Sequence, residues 1–509
     1  MTKKFDKKKI FNKKEIQEKL KIYKGKKIVL SHGVFDLLHV GHIAHFESAK
    51  QNGDILVVSV TSDEFVNKGP GRPVFNHNLR AKAISALSVV DAVIISKYPT
   101  AENIINIVKP NIYFKGPDYK NNKKDLTKNI YKEINAVKKN GGKIIYSNDQ
   151  TFSSSNLINK TNAIFNEKQQ KFLNLISKRY SFEYICETIK KFEKLRPLII
   201  GETIIDQYNF CQVLGKSGKE PHLVIKDESK ENYLGGGGAI ANHLSAFCNN
   251  VNFVSSIGDS DSYLGFIKKK INSNIKLNFI KKKNSPTILK KRFIDIVSRN
   301  KLLGVYTIND EPFDDKANQK LINLINKSLK KTDLIIVSDY GHGLISSKNA
   351  EKISKLKKLV CLNAQVNASN YGYHSLSKYK NIDTLLINEN ELRHEMRDKL
   401  TDIKILSQKI KKKFKIRNLV VTRGRTGALI ASKNMEFVEC PAFTNNIVDK
   451  VGAGDTMLAI VSLCFKMNLP ADLTIFLGSL AGADAVENLG NSSKLNKNKL
   501  IRTVEYSLK

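Results

Sequence analysis

The sequence has few cysteines and no long apolar run. Its six Cys are scattered along 509 residues, and no two of them form a Cys-x-x-Cys pair. This pattern excludes a disulfide framework, argues against a zinc site and fits reduced thiols in a cytoplasmic protein. No apolar stretch reaches the roughly 18 residues that a membrane-spanning helix needs, so we expect no membrane insertion. The basic N-terminus lacks an apolar segment and therefore does not predict a secretory signal.

Acidic residues are also scarce relative to basic ones. The chain has 48 Asp and Glu against 85 Lys and Arg, which gives a formal net charge of +37. A basic excess of this size is typical of proteins that bind nucleic acid. The lysines are spread along the whole chain rather than clustered, so we expect no nucleic-acid partner. The positive field favours small anionic substrates such as sugar phosphates and nucleoside triphosphates.

Apolar runs that predict buried strands alternate with helical patterns, which indicates α/β domains with parallel sheets. A chain of this length predicts two or three domains. We predict one α/β domain over residues 24–160, a polar helical linker over 161–195 and a second α/β domain over 196–509, preceded by a short basic helix in 1–23. The predicted strands are residues 28–30, 55–60, 92–95, 143–146, 198–201, 253–257, 334–338, 385–387 and 419–422.

The first candidate site is a glycine-containing turn between a predicted strand and a predicted helix, residues 33–42. Such a turn places free backbone N–H groups and the positive end of the helix against an anion. His39 and His42 lie three residues apart on one face of the first helical turn and can donate to phosphate oxygens. Gly41 allows a phosphate to approach the backbone. The alternatives are two surface or capping histidines, or a zinc site, although no third ligand stands at a suitable spacing.

The stretch 33–42, Gly-Val-Phe-Asp-Leu-Leu-His-Val-Gly-His, closely resembles the signature of the cytidylyltransferase-like nucleotidyltransferases. This family transfers a nucleotide to a phosphate and releases pyrophosphate, and the resemblance implies a Rossmann-like fold over about residues 24–160. Further similar segments follow in the family's order: residues 58–63, 71–74, Arg80, 115–119 and 153–156.

The resemblance also implies roles for particular residues. It implies that His39 and His42 contact the phosphates in the transition state, and that Lys115 and Ser154 contact phosphate. The other residues that it implies for the nucleotide site are Gly33, Phe35, Asp36, Gly41 and Arg80, of which Asp36 and Arg80 shape the site.

The second candidate site is the segment Gly452-Ala453-Gly454-Asp455, which precedes an apolar helical run over 458–464. Small residues before a helix form a nest of backbone N–H groups that can hold a transferring phosphoryl group. Asp455 at the helix entrance can take the proton of an attacking hydroxyl. The alternative is an ordinary glycine turn with an aspartate that caps the helix.

This second segment resembles the signature of the PfkB, or ribokinase-like, carbohydrate kinases, and similar segments cover about residues 196–509. The resemblance implies that Asn388 and Glu391 organise Mg²⁺ and phosphate through water, without a direct protein ligand to the metal. It implies that the sugar-binding residues are Asp206, Gly235, Gly236 and, in place of the usual asparagine, Asn242. It implies that the residues on the ATP side are Thr422, Gly424, Gly427, Gly452, Ala453 and Gly454.

Three positions depart from the kinase pattern. Ala239 stands where an asparagine usually follows the sugar-site glycines, Lys450 replaces a Thr or Val, and Asn363-Ala364 replaces an Asp-Pro pair. The phosphate end of the motif is therefore intact, whereas the sugar end is altered. This difference leaves the identity of the sugar open.

The combination of the two motifs resembles the bifunctional heptose kinase/adenylyltransferases of lipopolysaccharide synthesis, in reversed domain order. The resemblance implies phosphorylation of a heptose 7-phosphate at C1 and adenylyl transfer to the resulting 1-phosphate, with ATP and Mg²⁺. CTP stays open as the nucleotide of the second step, and so does homo-oligomer formation. Two alternatives are a cytidylyltransferase–kinase pair for another sugar or small alcohol phosphate, and a protein in which only the nucleotidyltransferase is active. A basic nucleic-acid-binding protein built on degenerate enzyme folds is the alternative from another class.

Overall fold

The computed structural model describes residues 9–66, 72–116, 129–147, 165–261, 263–432, 434, 436–444 and 447–508. The chain divides into two compact units. The first unit comprises residues 1–166 with 505–507 and 509, and the second comprises residues 167–504 with 508.

The first unit is built on a six-stranded sheet in which every strand pair is parallel. The strand order is β1-β4-β3-β2-β5-β6. The strands are β1 (Ile10–Phe11), β2 (Ile28–Gly33), β3 (Ile55–Thr61), β4 (Ala92–Ser96), β5 (Ile112–Lys115) and β6 (Lys143–Tyr146). The helices are α1 (Lys13–Ile22), α2 (Val40–Lys50), α3 (His77–Ser85), α4 (Glu102–Val108) and α5 (Asn129–Lys139).

Helices cover both faces of this sheet, which is why its strands are continuous apolar runs rather than alternating ones. Leu30 and Val57 pack in one buried cluster, whereas their chain neighbours Val29 and Leu56 pack in the other. The predicted strands of this region are confirmed. The carboxyl ends of β2 and β5 meet at one edge of the sheet, and the candidate residues of the first site follow them.

The second unit contains a nine-stranded sheet of order β11-β10-β7-β14-β15-β16-β17-β18-β19. The strands are parallel from β11 to β17, and the last two pairs are antiparallel. Its strands are β7 (Pro197–Gly201), β10 (Val251–Gly258), β11 (Ile275–Lys282), β14 (Leu334–Asp339), β15 (Leu359–Ala364), β16 (Thr384–Asn388), β17 (Asn418–Thr422), β18 (Ala428–Ala431) and β19 (Phe437–Cys440).

A separate four-stranded sheet of order β13-β12-β8-β9 belongs to the same unit. Its strands are β8 (Thr203–Lys216), β9 (Leu223–Gly236), β12 (Ile288–Asp295) and β13 (Lys301–Thr307). Sequence periodicity does not predict this sheet, because the outer strand β9 is mostly charged and exposed and the outer strand β13 is short and interrupted by Gly304. The pairing places Asp206 of β8 directly beside Lys290 of β12.

The helices of the second unit pack mainly against the nine-stranded sheet. They are α6 (Glu167–Arg179), α7 (Phe182–Lys191), α8 (Gly237–Ser245), α9 (Leu264–Lys270), α10 (Asp315–Leu329), α11 (Ser347–Ser354), α12 (Glu389–Met396), α13 (Ile403–Phe414), α14 (Ala453–Lys466) and α15 (Ala471–Val486). The last helix of the chain is α16 (Lys497–Leu508). In the part of the chain that the structure describes, no helix is both long and apolar enough to span a membrane. All six cysteines are buried and free.

Candidate active sites

The turn between β2 and α2 carries the first candidate site. Phe35 and Leu37 adopt left-handed backbone angles, each with φ near 50°. The Phe35 ring packs edge-on against His42 and Phe46, with ring centroids 5.5 and 4.9 Å apart. Gly33 is the last residue of β2. The buried Phe35 ring therefore anchors the turn to the first helical turn of α2.

His39 and His42 stand together at the start of α2. His39 is the N-cap residue, and its Nδ1 accepts a hydrogen bond from Gly41 N–H at 3.1 Å. This acceptor role places the proton of the neutral ring on Nε2. The two imidazole rings are stacked, with centroids 3.9 Å apart. The structure thus brings two imidazoles and a helix N-terminus together, which suits binding of a phosphate chain.

Asp36 and Arg80 bind the surrounding loops. Asp36 is fully buried, and its carboxylate accepts hydrogen bonds from the backbone N–H groups of Val74 and Phe75 and pairs with Arg72. Arg80 is also buried.

The Arg80 guanidinium donates to three backbone carbonyls, those of Phe75, Val34 and Thr61, and pairs with Asp63. These hydrogen bonds are all internal to the unit. The contacts of Asp36 and Arg80 are compatible with a role in shaping the site, and that role stays a prediction. Direct contact of either with a nucleotide stays a prediction.

Lys115 ends β5 in a buried ion pair. Its Nζ lies 2.9 Å from Oε2 of Glu133 and over the ring of Tyr113, 5.1 Å from the centroid. Burial favours the neutral form of Glu133, but the charges of Lys115 and His32 and the hydrogen bonds from Lys115 and Tyr113 together hold the pKa of Glu133 below its usual value. Burial, with the Lys115 charge, lowers the pKa of His32 to about 4. Ser154, the other predicted phosphate ligand, lies outside the described residues.

The second candidate site begins at the turn before α14. Gly452 caps the helix with φ of 88°, and a Cβ there would collide with the side chain of Asn491. Only glycine combines that left-handed angle with that close approach. Ala453 and Gly454 form the first turn, and a Cβ added at Gly454 would meet no described atom within 4 Å. The space beside Gly454 is therefore free of described protein atoms.

Asp455 lies in the same first turn and is buried. Its Oδ1 accepts hydrogen bonds from the Tyr340 hydroxyl at 2.7 Å and from Gln365 Nε2 at 3.3 Å. Burial raises the pKa of Asp455 to about 7, and the Asp206 and Glu391 carboxylates also raise it. A carboxylate with a pKa in that range is suited to taking a proton near neutral pH.

The Asp449 carboxylate accepts hydrogen bonds from residues on both sides of this turn. Its Oδ1 accepts from Lys301 Nζ at 2.6 Å and from Val451 N–H, and its Oδ2 accepts from the Tyr208 hydroxyl and Gly490 N–H. Four donors thus saturate one carboxylate. Burial opposes ionisation of Asp449, but these donors lower the pKa of this carboxyl below its usual value.

The predicted sugar end contains Asp206, which is buried and paired with Arg292. A Cβ on Gly235 would collide with Oδ2 of Asp206, so a glycine there lets the strand pass beside the carboxylate. Lys290 lies over the rings of Tyr306 and Tyr340, 5.2 and 5.7 Å from their centroids. Burial lowers the pKa of Lys290. Gly236, with φ of 59°, caps α8.

The predicted Asn388–Glu391 element forms a capping box at the start of α12. Oε2 of Glu391 accepts Asn388 N–H, and Oε1 accepts Val366 N–H at 3.3 Å. Burial raises the pKa of Glu391 to about 7. Each carboxylate oxygen keeps a lone pair beyond these bonds, which fits contact with a hydrated cation. Among the described residues, no group of three or more His, Cys, Asp and Glu side chains forms a metal cage.

The predicted ATP-side residues lie at the end of β17 and in the following turn. Thr422 is the last residue of β17, and Gly424 and Gly427 have φ of 55° and 102°. Arg423 in this turn pairs with Glu389.

Asn242, a predicted sugar-site residue, has both ends of its side-chain amide hydrogen-bonded within the protein. Its Nδ2 donates to the Lys270 carbonyl and its Oδ1 accepts from Asn272 N–H, each at 3.1 Å. The amide therefore ties α8 to the chain that follows α9, which argues against a direct sugar contact. Ala239 is buried and Lys450 is exposed.

Sequence reasoning did not single out Tyr340, Gln365, Lys290 or Arg292 as site residues. Each is brought to Asp455 or Asp206 by strand pairing or by a long loop. The apolar run 334–338 predicts the strand before Tyr340, but nothing in the local sequence signals that its hydroxyl meets Asp455.

Two family profiles match the chain. A profile described as pfkB family carbohydrate kinase matches residues 196–498, and one described as cytidylyltransferase-like matches residues 30–161. The predicted fold class is confirmed: an N-terminal Rossmann-like nucleotidyltransferase fold and a C-terminal ribokinase-like α/β kinase fold.

Curated relatives match parts of the chain. It is 26% identical over 302 residues to the bifunctional protein HldE of Aliarcobacter butzleri, which covers 58% of this chain and 62% of that protein. It is 42% identical over 99 residues to the bifunctional protein HldE of Methylobacillus flagellatus, covering 19% and 20%. The first match thus spans about three fifths of its relative's length.

Solved structures also resemble the chain. A ribokinase from Thermotoga maritima is 19% identical and covers 61% of this chain and 99% of its own, with a TM-score of 0.48. Because the carbohydrate-kinase profile spans more than half of the chain, this protein belongs to the pfkB family of carbohydrate kinases, with a cytidylyltransferase-like fold in its N-terminal part.

Proposed function

We propose that this protein activates a sugar in two steps, first as a kinase and then as a nucleotidyltransferase. One observation carries the proposal: in each unit, the side chains that the chemistry needs lie in the first turn of a helix that follows a glycine turn. The kinase unit contributes the buried carboxylate of Asp455. The other unit contributes the stacked imidazoles of His39 and His42.

In the kinase step, the sugar hydroxyl attacks the γ-phosphorus of ATP. The new O–P bond forms as the bond to the ADP oxygen breaks, and the hydroxyl proton passes to the Asp455 carboxylate. The backbone N–H groups of residues 452–454 hold the phosphoryl oxygens as charge spreads over them. Asp206 binds the sugar hydroxyls beside the transferring group. The raised pKa of Asp455 supports this role, because the protonated form is then readily reached.

In the nucleotidyl step, an oxygen of the sugar phosphate attacks the α-phosphorus of a nucleoside triphosphate, and pyrophosphate leaves. The attacking phosphate is already ionised, so the step needs no general base. His39, His42 and the N-terminus of α2 bind the triphosphate and stabilise the charge that develops. Lys115 and Ser154 are further proposed phosphate ligands. The Lys115 ammonium has three donors, so it can contact a phosphate and Glu133 together.

Mg²⁺ is the proposed metal of the kinase step. Asn388 and Glu391 would hold it through water, because their groups are suited to a hydrated ion. When bound, the ion neutralises charge on the triphosphate oxygens. We propose no protein atom as a direct ligand of Mg²⁺.

The proposed acceptor is D-glycero-D-manno-heptose 7-phosphate, phosphorylated at C1, and the proposed product is an ADP-heptose precursor for lipopolysaccharide or another surface polysaccharide. The resemblance of both units to the bifunctional heptose enzymes supports this choice. ATP is the proposed nucleotide for both steps. We place both reactions in the cytoplasm, where ATP is available and the six free cysteines stay reduced.

A second candidate is a cytidylyltransferase–kinase pair for another sugar or small alcohol phosphate. The altered sugar end favours it, since Ala239 replaces the usual asparagine and Asn242 is engaged elsewhere. We propose residues 24–160 and 196–509 as the two functional domains and 161–195 as the linker. A homo-oligomer is compatible with either candidate.

The test uses the full chain with Mg²⁺ and either ATP or CTP. Phosphorus NMR follows the conversion of heptose 7-phosphate, with fructose 6-phosphate and the unphosphorylated heptose as comparison acceptors. A second assay supplies the heptose 1,7-bisphosphate and, separately, the heptose 1-phosphate, and measures pyrophosphate release. We expect ADP formation with the heptose phosphate and pyrophosphate release with ATP. Release with CTP alone would reject adenylyl transfer, and phosphorylation of another acceptor alone would favour the second candidate.

A further inference from the structure

Tyr340 links the end of β14 to the proposed catalytic base. The residue follows Asp339, the last residue of β14, and its side chain is buried. Its hydroxyl donates to Oδ1 of Asp455 at 2.7 Å, although the two residues lie 115 positions apart in the chain. A phenol that donates to a buried carboxylate stabilises the ionised form of that carboxylate. Neither the kinase signature nor the proposed reaction assigns this hydroxyl a role.

The backbone of Tyr340 is held on both sides. Its N–H donates to Oε2 of the buried Glu202 at 3.0 Å. Its carbonyl accepts from the side-chain amides of Asn367 and Asn370, at 2.9 and 2.8 Å. Separate segments of the chain therefore determine where the phenol lies. A side chain placed in this way loses little conformational freedom when it orients a neighbour.

The two oxygens of Asp455 differ in their surroundings. Oδ1 accepts from both Tyr340 and Gln365. Among the residues that the structure describes, none donates a side-chain hydrogen bond to Oδ2. The two donors thus fix the carboxylate by one oxygen and leave the other to face a substrate.

We propose that Tyr340 is a positioning residue of the kinase site, whose hydroxyl holds Oδ1 of Asp455 so that Oδ2 receives the proton of the sugar hydroxyl. The O–H bond of the sugar breaks as its oxygen bonds to the γ-phosphorus. The proton goes to Oδ2, and the electron pair of the broken P–O bond leaves with ADP. This inference rests on the proposed kinase function.

Charged groups from several elements face Asp455. Burial raises its pKa most, and the carboxylates of Asp206 from β8 and Glu391 from α12 raise it further. The Tyr340 hydrogen bond lowers the pKa, and so does the charge of Lys290 from β12. Loss of the Tyr340 hydroxyl therefore removes a contribution that lowers the pKa, while burial and the two carboxylates remain, so the pKa of Asp455 rises.

The test is the Tyr340→Phe variant of the full chain, assayed for phosphoryl transfer from about pH 5.5 to 9, a range that spans the ionisation of the base. The base must be ionised, so activity falls as pH drops through its pKa. Removing a hydrogen bond to a charged group is expected to move this acid limb of kcat up by about one to two pH units. We expect kcat near neutral pH to fall by about tenfold or more, with KM for ATP almost unchanged. A merely structural role would not move the acid limb.

Tyr379→Phe is the matched control. The Tyr379 hydroxyl is also buried and donates to a carboxylate at 2.7 Å, but that carboxylate belongs to Asp339 rather than to Asp455. This variant should lose comparable stability and keep the acid limb at its wild-type position. Equal shifts in both variants would overturn the positioning role.

A second measurement needs no acceptor. In chains with ¹³C-labelled aspartate, the carboxyl resonance that disappears in Asp455→Asn should titrate at higher pH in Tyr340→Phe. If Tyr340→Phe fails to fold, Gln365→Met removes the weaker donor and should shift the same resonance in the same direction by less. An unmoved resonance in the folded variant overturns the inference even when the kinase is active. Absence of kinase activity with a shifted resonance instead rejects the proposed function.

Discussion

The two candidate sites both lie at a helix N-terminus, where we propose that each binds a phosphate chain, but they present different side chains. The first uses imidazoles that stack at the start of α2. The second uses a buried carboxylate with a raised pKa at the start of α14. A phosphate nucleophile is ionised in water and needs donors, whereas a sugar hydroxyl needs a base. The difference between the side chains thus follows the difference in attacking group.

The largest expected effect is that of Asp455→Asn. Without the carboxylate, no side chain takes the hydroxyl proton, so phosphoryl transfer should fall by about 10²–10⁴-fold. Pyrophosphate release by the other unit should stay at the wild-type rate. Both activities are measured on the same preparation, and equal loss of both in a folded protein would contradict two independent sites.

His42→Ala should have the opposite effect to Asp455→Asn on the two activities. Loss of one transition-state donor should lower nucleotidyl transfer by about 10²–10³-fold and leave phosphoryl transfer intact. His45→Ala is the matched control, because His45 lies on the same helix and hydrogen-bonds Ser31. A loss of the same size in both variants would mean that helix packing, rather than donation to phosphate, carries the effect.

Glu133→Gln probes the buried Lys115 ion pair of the first unit. The change leaves a buried ammonium without its carboxylate, and we expect the free energy of unfolding of this unit to fall by about 2 kcal/mol. Denaturant unfolding measures this free energy. Glu351→Gln is the control, because Glu351 pairs with Lys355 at the surface and its loss should leave the free energy of unfolding almost unchanged. Unchanged stability in Glu133→Gln would show that Lys115 is not held by Glu133 in solution.

The pH dependence of the two activities should differ. The pKa of Asp455 is about 7. Its ionised form is the base, so phosphoryl transfer should fall about tenfold per pH unit below that value. Nucleotidyl transfer does not use this base and should lack this limb. The pH profile of kcat is measured for each activity. If both activities fall with the same pKa at low pH, the proposed difference between the two sites is wrong.

The smallest expected effect is that of Asn242→Ala. Its amide joins α8 to the segment at Lys270–Asn272, so its loss should lower stability by about 1 kcal/mol without changing KM for the sugar. Asp206→Ala is the comparison variant and should raise that KM strongly. A raised KM in Asn242→Ala would restore the sequence-based assignment of Asn242 to the sugar site.

Much of the fold follows from local sequence. Continuous apolar runs such as 55–60 and 334–338 predict strands that are buried on both faces, and the structure contains them as β3 and β14. The four-stranded sheet is not predicted, because β9 is mostly charged and β13 is short, interrupted by Gly304 and almost fully exposed. Likewise, the resemblance predicts that Arg80 shapes the site, but only the structure shows its buried contacts with the carbonyls of Phe75, Val34 and Thr61.

By itself, the sequence determined where two helices start and which residues stand there: His39 and His42 at one, Gly452 to Asp455 at the other. These signals are local, since a turn and the first helical turn involve only a short run of consecutive residues. Only the tertiary structure decided which partners surround them. The Tyr340 hydroxyl meets Asp455 across 115 residues, and Arg292 meets Asp206 across 86. Strand pairing and loop packing set such contacts, and no local periodicity encodes them.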